Sequence, residues 1–350
     1  MTAGVSTLGA GHRLPAARTL VWLAIILAPP VLGLLSLGVG RYPLPLAEVL
    51  AALGQGLGLI DGASGPASRV VLMIRLPRVL EAGLSGAGLA LAGAALQGVF
   101  RNPLVGPQII GVSSGAAFGG ALALLLSAGL VALLGSAFLF GLLALVLVFT
   151  VSRVDGRSPV LMLVLAGVVV GAFFSALVSL VTYLADPNDT LPAIVYWLMG
   201  SFATASYSKV ALLAAVTLSL GGLLLSLRFR LNILSLGDEE AQALGIKVEP
   251  TRWLILIAVT GLSATSVAVA GIVGWVGLVV PHVARMLVGP DHRVLLPASA
   301  LVGASYMILV DDIARSATTQ ELPLGVLTAL VGAPLFGLLL RRAQMKGWSA

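Results

Sequence analysis

The sequence predicts an all-α polytopic membrane protein, and three observations carry that assignment. Hydrophobic residues make up 59% of the 350 positions and charged residues only 10%, against roughly a quarter charged in soluble globular chains. The apolar residues fall in long runs, not in half-polar patterns. Charge, Pro and Asn divide these runs at the spacing of helices of about 20 residues, the length that crosses a bilayer. Cys is absent, which excludes disulfides, thiolate metal sites and Cys nucleophiles. The net charge of +6 is scattered over the ends of apolar runs, which argues against a nucleic-acid surface.

About ten transmembrane helices are predicted, near residues 20–40, 79–99, 109–130, 132–152, 159–184, 208–228, 252–271, 273–288, 294–314 and 324–341. The first follows His12, Arg13 and Arg18 like a signal sequence. Because further spans follow without a soluble domain, it is read as an uncleaved first helix. Arg41 to Ile60 reads as a surface helix, and Gly271 to Gly274 alone divides the seventh span from the eighth. The chain is expected to be a single domain over 1–350. It divides into a tail (1–19), helices 1–6 (20–228), a polar segment (229–251), helices 7–10 (252–341) and a second tail (342–350).

That polar segment is the chain's most informative stretch. Leu236-Gly237-Asp238-Glu239-Glu240-Ala241-Gln242-Ala243-Leu244-Gly245-Ile246 reads as a short amphipathic helix with three consecutive acids, between the sixth and seventh spans. Such a helix cannot lie in hydrocarbon, and a plain connection would need fewer residues. It is expected to dock a soluble partner. With the N-terminus inside, fourteen of the 20 Lys and Arg fall on the cytoplasmic side, the side that such residues favour. Both termini and the acidic helix are therefore expected in the cytoplasm.

Gly83-Leu84-Ser85 and Ala90-Leu91-Ala92-Gly93 recur as Gly261-Leu262-Ser263 and Ala268-Val269-Ala270-Gly271, with Pro103 and Pro281 at the same offset. As the two spans run in opposite directions, this is a candidate inverted repeat, common in transporters. Close packing of small residues explains it equally well.

Ion-coupled carriers usually place an ionisable group near the midplane. All 14 acids are read as missing it: Glu81 is expected to pair with Arg78, and Arg315 with Asp311. A phosphate-cradling loop ends in Gly-Lys, and none of Lys209, Lys247 and Lys346 follows a glycine. Work is therefore expected from a separate ATPase acting through the acidic helix.

Seven segments carry a family resemblance: Arg75-Leu76-Pro77-Arg78, Gly93-Ala94-Ala95-Leu96-Gln97-Gly98, Arg101-Asn102-Pro103-Leu104, Gly111-Val112-Ser113-Ser114-Gly115-Ala116, Leu236-Gly237-Asp238-Glu239 through Leu244-Gly245, Gly277-Leu278-Val279-Val280-Pro281-His282 and Glu321-Leu322-Pro323-Leu324-Gly325. In this order, over nearly the whole chain from about residue 70, they resemble the FecCD-type permeases of ABC importers for iron-siderophores, haem and cobalamin. The resemblance implies a homodimer of ten-helix permeases in the bacterial inner membrane. Two ATPase subunits, which bind the ATP and Mg, would sit below, and a periplasmic substrate-binding protein above. It implies no cofactor or metal on this chain, and no catalysis by it.

The resemblance also implies roles for particular residues. Leu236, Gly237, Asp238, Glu239, Glu240, Ala241, Leu244 and Gly245 would contact the ATPase. Arg75, Arg78 and Arg315 would meet carboxylates of the binding protein, a task that suits the guanidinium fork; local pairing with Glu81 and Asp311 is the plainer reading. Asn102-Pro103-Leu104 would narrow the cytoplasmic exit, or simply turn the chain. The Ser158 to Leu161 loop is a weaker gate, since Pro159 and Val160 replace the family's small hydroxyl residues. His282 and His292 are not placed as facing ligands, and Pro281-His282 reads as a turn. Tyr196, Trp197, Met199 and Phe202 could close over cargo or mark the membrane interface. The cargo is expected to be a bulky chelate, iron-siderophore or haem before corrinoid or oxyanion. A stand-alone ion-coupled transporter is the alternative.

Overall fold

The computed structural model describes residues 15–59, 65–153 and 158–344. Within them the chain is helical with no strand, as hydrocarbon requires of backbone that must satisfy its own polar groups. The helices are α1 (Pro15–Gly38), α2 (Leu46–Gly56), α3 (Pro66–Val99), α4 (Val112–Leu125), α5 (Leu130–Ser152), α6 (Val160–Leu184) and α7 (Thr190–Leu198). After these come α8 (Tyr207–Ser226), α9 (Arg228–Leu234), α10 (Asp238–Ala243), α11 (Val248–Ala270), α12 (Val276–Val288), α13 (His292–Ser316) and α14 (Leu324–Gln344). The surface helix expected at 41–60 is α2. His12, Arg13, Arg157 and Lys346 lie outside the described residues.

Among the described residues seven helices, α1, α3, α5, α6, α8, α11 and α13, are long and apolar enough to cross a membrane, and α14 has a shorter apolar stretch, Leu324–Leu338. The third and eighth predicted spans are corrected: α4 has 14 residues and α12 has 13. Their N-terminal ends are cut back by irregular backbone. A 3₁₀ turn, Pro107–Ile110, and Gly111 at φ +76° precede α4. Gly271 at φ +72° and Trp275 at φ +66° hold the chain away from helix before α12.

α3 and α11 form the axis of the bundle. In their most apolar windows 78% and 83% of residues are buried, against 17–33% in α1, α5, α6 and α8. Both carry the repeated Gly/Ala segments, and they run antiparallel. The matched prolines do not share a role, because Pro103 lies in the turn after α3 whereas Pro281 and His282 lie inside α12, not in a turn. Small residues allow the closest contacts: a Cβ on Gly86 would come 2.1 Å from the Gly303 carbonyl of α13, and one on Gly93 1.8 Å from the Gly277 carbonyl of α12. The bundle has two polar ends, a knuckle end around α9–α10 and an arginine end around Arg75, Arg78 and Arg315.

Candidate functional site: the two polar ends and the groove between them

At the knuckle end, the expected helix 236–246 contracts to the six residues of α10. Gly237 at φ +148° starts it and Gly245 at φ +81° stops it. The stop is a Schellman closure, in which Ile246 N–H donates to Ala241 O and Gly245 N–H to Gln242 O. The three acids in the first turn complement the helix dipole. Ala241 packs inward, whereas Leu236 and Leu244 are 62% and 60% exposed, with Glu239 and Glu240 also exposed between them. The result is an apolar pair flanking acids, a ridge that the chain itself leaves uncovered.

Asp238 does not belong to that ridge. It shares the inward face of Ala241, three residues on, and accepts from Arg252 Nη2 at 2.7 Å through both oxygens. Arg252, 1% exposed at the start of α11, also donates to Glu249 (2.9 Å) and to the Ser158 carbonyl (3.0 Å). Ser158 N–H in turn donates to Glu249. A single guanidinium thus fastens α10 to α11 and to the loop before α6. Arg101 lies 4.0 Å from Asp238, immediately before Asn102-Pro103-Leu104. There Asn102 caps its own turn by accepting from Leu104 N–H at 2.9 Å, and all three residues are exposed. The knuckle and the predicted exit segment are therefore neighbours through Asp238.

His292 has a structural partner, whereas the buried His282 Nδ1 has none among the described residues. Asn232 of α9 accepts from His292 N–H, meets its Nδ1 at 2.8 Å and donates to Asp291 at 2.6 Å. Hydrogen bonds from Arg293 and then Asn232 hold the Asp291 carboxyl well below the usual range. Arg285 donates to Gln97 Oε1. Among the described residues no group of three or more His, Asp or Glu could hold a metal.

At the arginine end the three guanidiniums are engaged within the chain. Arg75, Arg78 and Arg315 are only 5%, 8% and 6% exposed. Arg78 donates to both oxygens of Asp311 and to both of Glu321 at 2.9–3.0 Å. Arg315 donates to Asp312 and to Ser36 of α1, lying 3.8 Å from Asp311, and Arg75 donates to the Leu37 and Tyr42 carbonyls. Arg41 and Arg69 are the exposed arginines of this end.

The predicted Arg78–Glu81 pair does not form. Glu81 is fully buried in α3, forms no ion pair within 4.0 Å among the described residues, and faces Lys209 of α8 and the Ser206 backbone. Lys209 itself is buried and donates to Thr204 and to the Val269 carbonyl. In the sequence Lys209 falls at the outer end of the predicted span 208–228.

Between the ends runs an open groove of about 470 Å³ lined by Met199, Gly274, Trp275, Gly325 and Leu330, among others, with Gln108 as its polar member. No lining residue is ionisable. The aromatic loop divides its roles: Met199 faces the groove, Tyr196 is exposed, Phe202 is buried, and the Trp197 ring fills the space over Gly120 of α4.

Residues 26–342 match the profile of the FecCD transport family. The chain is 48% identical over 320 residues to the molybdate import system permease protein MolB of Haemophilus influenzae, covering 91% of this chain and 94% of that protein. It is 41% identical to the hemin transport system permease protein HmuU of Yersinia pestis (79% and 84% covered). It is 40% identical to the cobalamin import system permease protein BtuC of Halobacterium salinarum (88% and 82%). Among solved structures, an ABC transporter assigned to the metal-chelate type, in an inward-facing conformation, superposes with TM-score 0.83 at 46% identity, covering 93% of this chain and 99% of that one.

Proposed function

The chain belongs to the FecCD transport family and is a multi-pass permease subunit of an ABC importer; from that premise we propose how its two ends divide the work. The whole of 1–350 acts as one permease domain in a bacterial inner membrane, with the knuckle end and both termini cytoplasmic. Two copies enclose a common path, two separate ATPase subunits dock at the knuckles, and a periplasmic binding protein delivers cargo at the arginine end. The ATPase subunits bind the ATP and Mg.

One observation carries this reading: the exposed ridge Leu236, Glu239, Glu240 and Leu244 is rigidly tied through Asp238 and Arg252 to α11 and lies beside Arg101 and the exit segment Asn102-Pro103-Leu104. Displacement of the ridge by a closing ATPase would reach the exit through one ion-pair network. Gly237 and Gly245 fix the ridge's start and stop, and Ala241 seats it. Because Arg75, Arg78 and Arg315 are internally engaged, their part in docking is to shape the surface, with the exposed Arg41 and Arg69 available to carboxylates. The cargo is a metal-bearing species passed on whole, in keeping with relatives named for iron chelatin, hemin, cobalamin and molybdate.

The test is affinity purification of the tagged chain co-expressed with the ATPase encoded beside it. Wild type is expected to retain the ATPase. Leu244→Glu with Glu239→Lys is expected to lose it while eluting as a folded membrane protein. Retention by the double variant contradicts the reading.

A fully buried carboxylate, Glu81, favours a second reading, the stand-alone ion-coupled carrier. Uptake driven by a proton or sodium gradient alone, and lost in Glu81→Gln, would support it.

A further inference from the structure

Two helices of the bundle are too short to cross a membrane, and their N-termini meet at the same place. α4 and α12, at 14 and 13 residues, are about 20 Å long at 1.5 Å per residue, against a hydrocarbon core of about 30 Å. Each is anchored at its C-terminal end. α5, a full span, starts at Leu130, five residues after α4 ends, and α13, another full span, starts at His292, four residues after α12 ends. The missing length therefore falls at the two N-termini, at Val112 and Val276.

Both N-termini line one cavity of about 30 Å³, through Ser113 on α4 and Gly277 on α12, room for a water molecule. Ser266 of α11 lines it too. Ser266 and Ser113 are 2% and 9% exposed, and neither hydroxyl has a hydrogen-bond partner among the described residues. The first-turn amides of Val112, Ser113, Ser114 and Gly277 likewise have no backbone acceptor. At the end of α11 three carbonyls already accept a bond from elsewhere: Val267 from Gly271 N–H, Val269 from Lys209 and Ala270 from Ser201 N–H. Gln108 and Trp275 line both this cavity and the larger groove, and no acid lines either.

Free amides, two unpartnered hydroxyls and two helix N-termini, each equivalent to about half a positive charge, converge where a low dielectric magnifies them. Ion sites built on broken helices in other transporters use the same elements for anions. We propose that this junction is an anion-accepting waypoint on the transport path. The passing cargo then presents anionic oxygen, as a metal oxyanion or as a chelate that keeps negative charge. The proposal rests on the importer reading above, takes the groove beside the junction as its path, and says which cargo charge that path admits.

The test reads binding directly, so that it does not depend on the partner subunits. The full chain in lipid nanodiscs is titrated, by tryptophan fluorescence, with sodium molybdate, an anionic ferric catecholate and a neutral ferric hydroxamate, with Trp275→Phe marking the signal from the junction. Ser113→Asp supplies a competing carboxylate and, as an acid in a first helical turn, favours the helix it occupies. Ser113→Ala with Ser266→Ala removes the hydroxyls without adding charge.

Saturable binding of either anion at Trp275 is expected, weakened about tenfold or more by Ser113→Asp and less by the double alanine variant. Molybdate alone or the catecholate alone identifies the source of the charge. No saturable binding of either anion, equal binding of the neutral chelate, or binding indifferent to Ser113→Asp overturns the proposal. MgATP-driven uptake by the complete importer is scored separately. Its failure with anion binding intact counts against the importer reading and not against the site.

Discussion

The two polar ends of this chain handle charge in opposite ways. At the arginine end, Arg75, Arg78 and Arg315 are buried and matched to acids and carbonyls of α1, α13 and the loop before α14. At the knuckle end, Arg252 is buried, while Glu239, Glu240, Leu236 and Leu244 stand exposed. Buried, paired charge fixes helices against one another, and removing one partner is costly. Exposed charge contributes little to stability and is free to meet a partner. The difference separates residues that hold the bundle from residues that communicate with another protein.

Substitutions at the two ends should break different properties. The largest effect on the fold is expected for Arg78→Ala, which leaves Asp311, 1% exposed, without its main partner; a loss of about 3–5 kcal/mol is expected, measured as thermal unfolding in detergent. A near-wild-type melting curve would remove the basis of the comparison. Arg252→Ala comes next. Its carboxylate partners are 38% and 32% exposed, so the loss of charged hydrogen bonds should be about 1–3 kcal/mol, accompanied by uncoupling of ATP hydrolysis from uptake. Leu244→Glu should leave stability within about 0.5 kcal/mol of wild type and still impair ATPase binding. If it melts early instead, the ridge is part of the core.

The smallest effect concerns Asp291, which lies outside the spans. Because its folded value is depressed, its contribution is present at neutral pH, above the ordinary carboxylate range. It is lost only as pH falls through that depressed value. Asp291→Asn should therefore flatten the acid limb of stability against pH and change little at pH 7.

Much of this was legible in the sequence, because lipid imposes a simple code. Apolar runs locate the seven long helices, and three acids between two runs locate the knuckle. What failed was pairing. Arg78 has Glu81 three residues away, which local spacing favours, yet its partner is Asp311, 233 positions distant; no single-sequence rule reaches that far. The turn of Asp238 inward was within reach, since Ala241 three residues on marks the same face. The short α4 and α12 were not, because the irregular residues 109–111 and 273–275 are apolar or Gly and read as helix until their dihedrals are seen.

The account's central claim is that force enters this permease through the α10 ridge. It is tested most directly by measuring MgATP-driven uptake in proteoliposomes that hold the chain, its ATPase and its binding protein, comparing wild type with Leu244→Glu. ATP-dependent uptake in wild type and its loss in a variant of unchanged melting temperature is the expected result. Uptake in the variant at the wild-type rate, or gradient-driven uptake with no ATPase present, would contradict it.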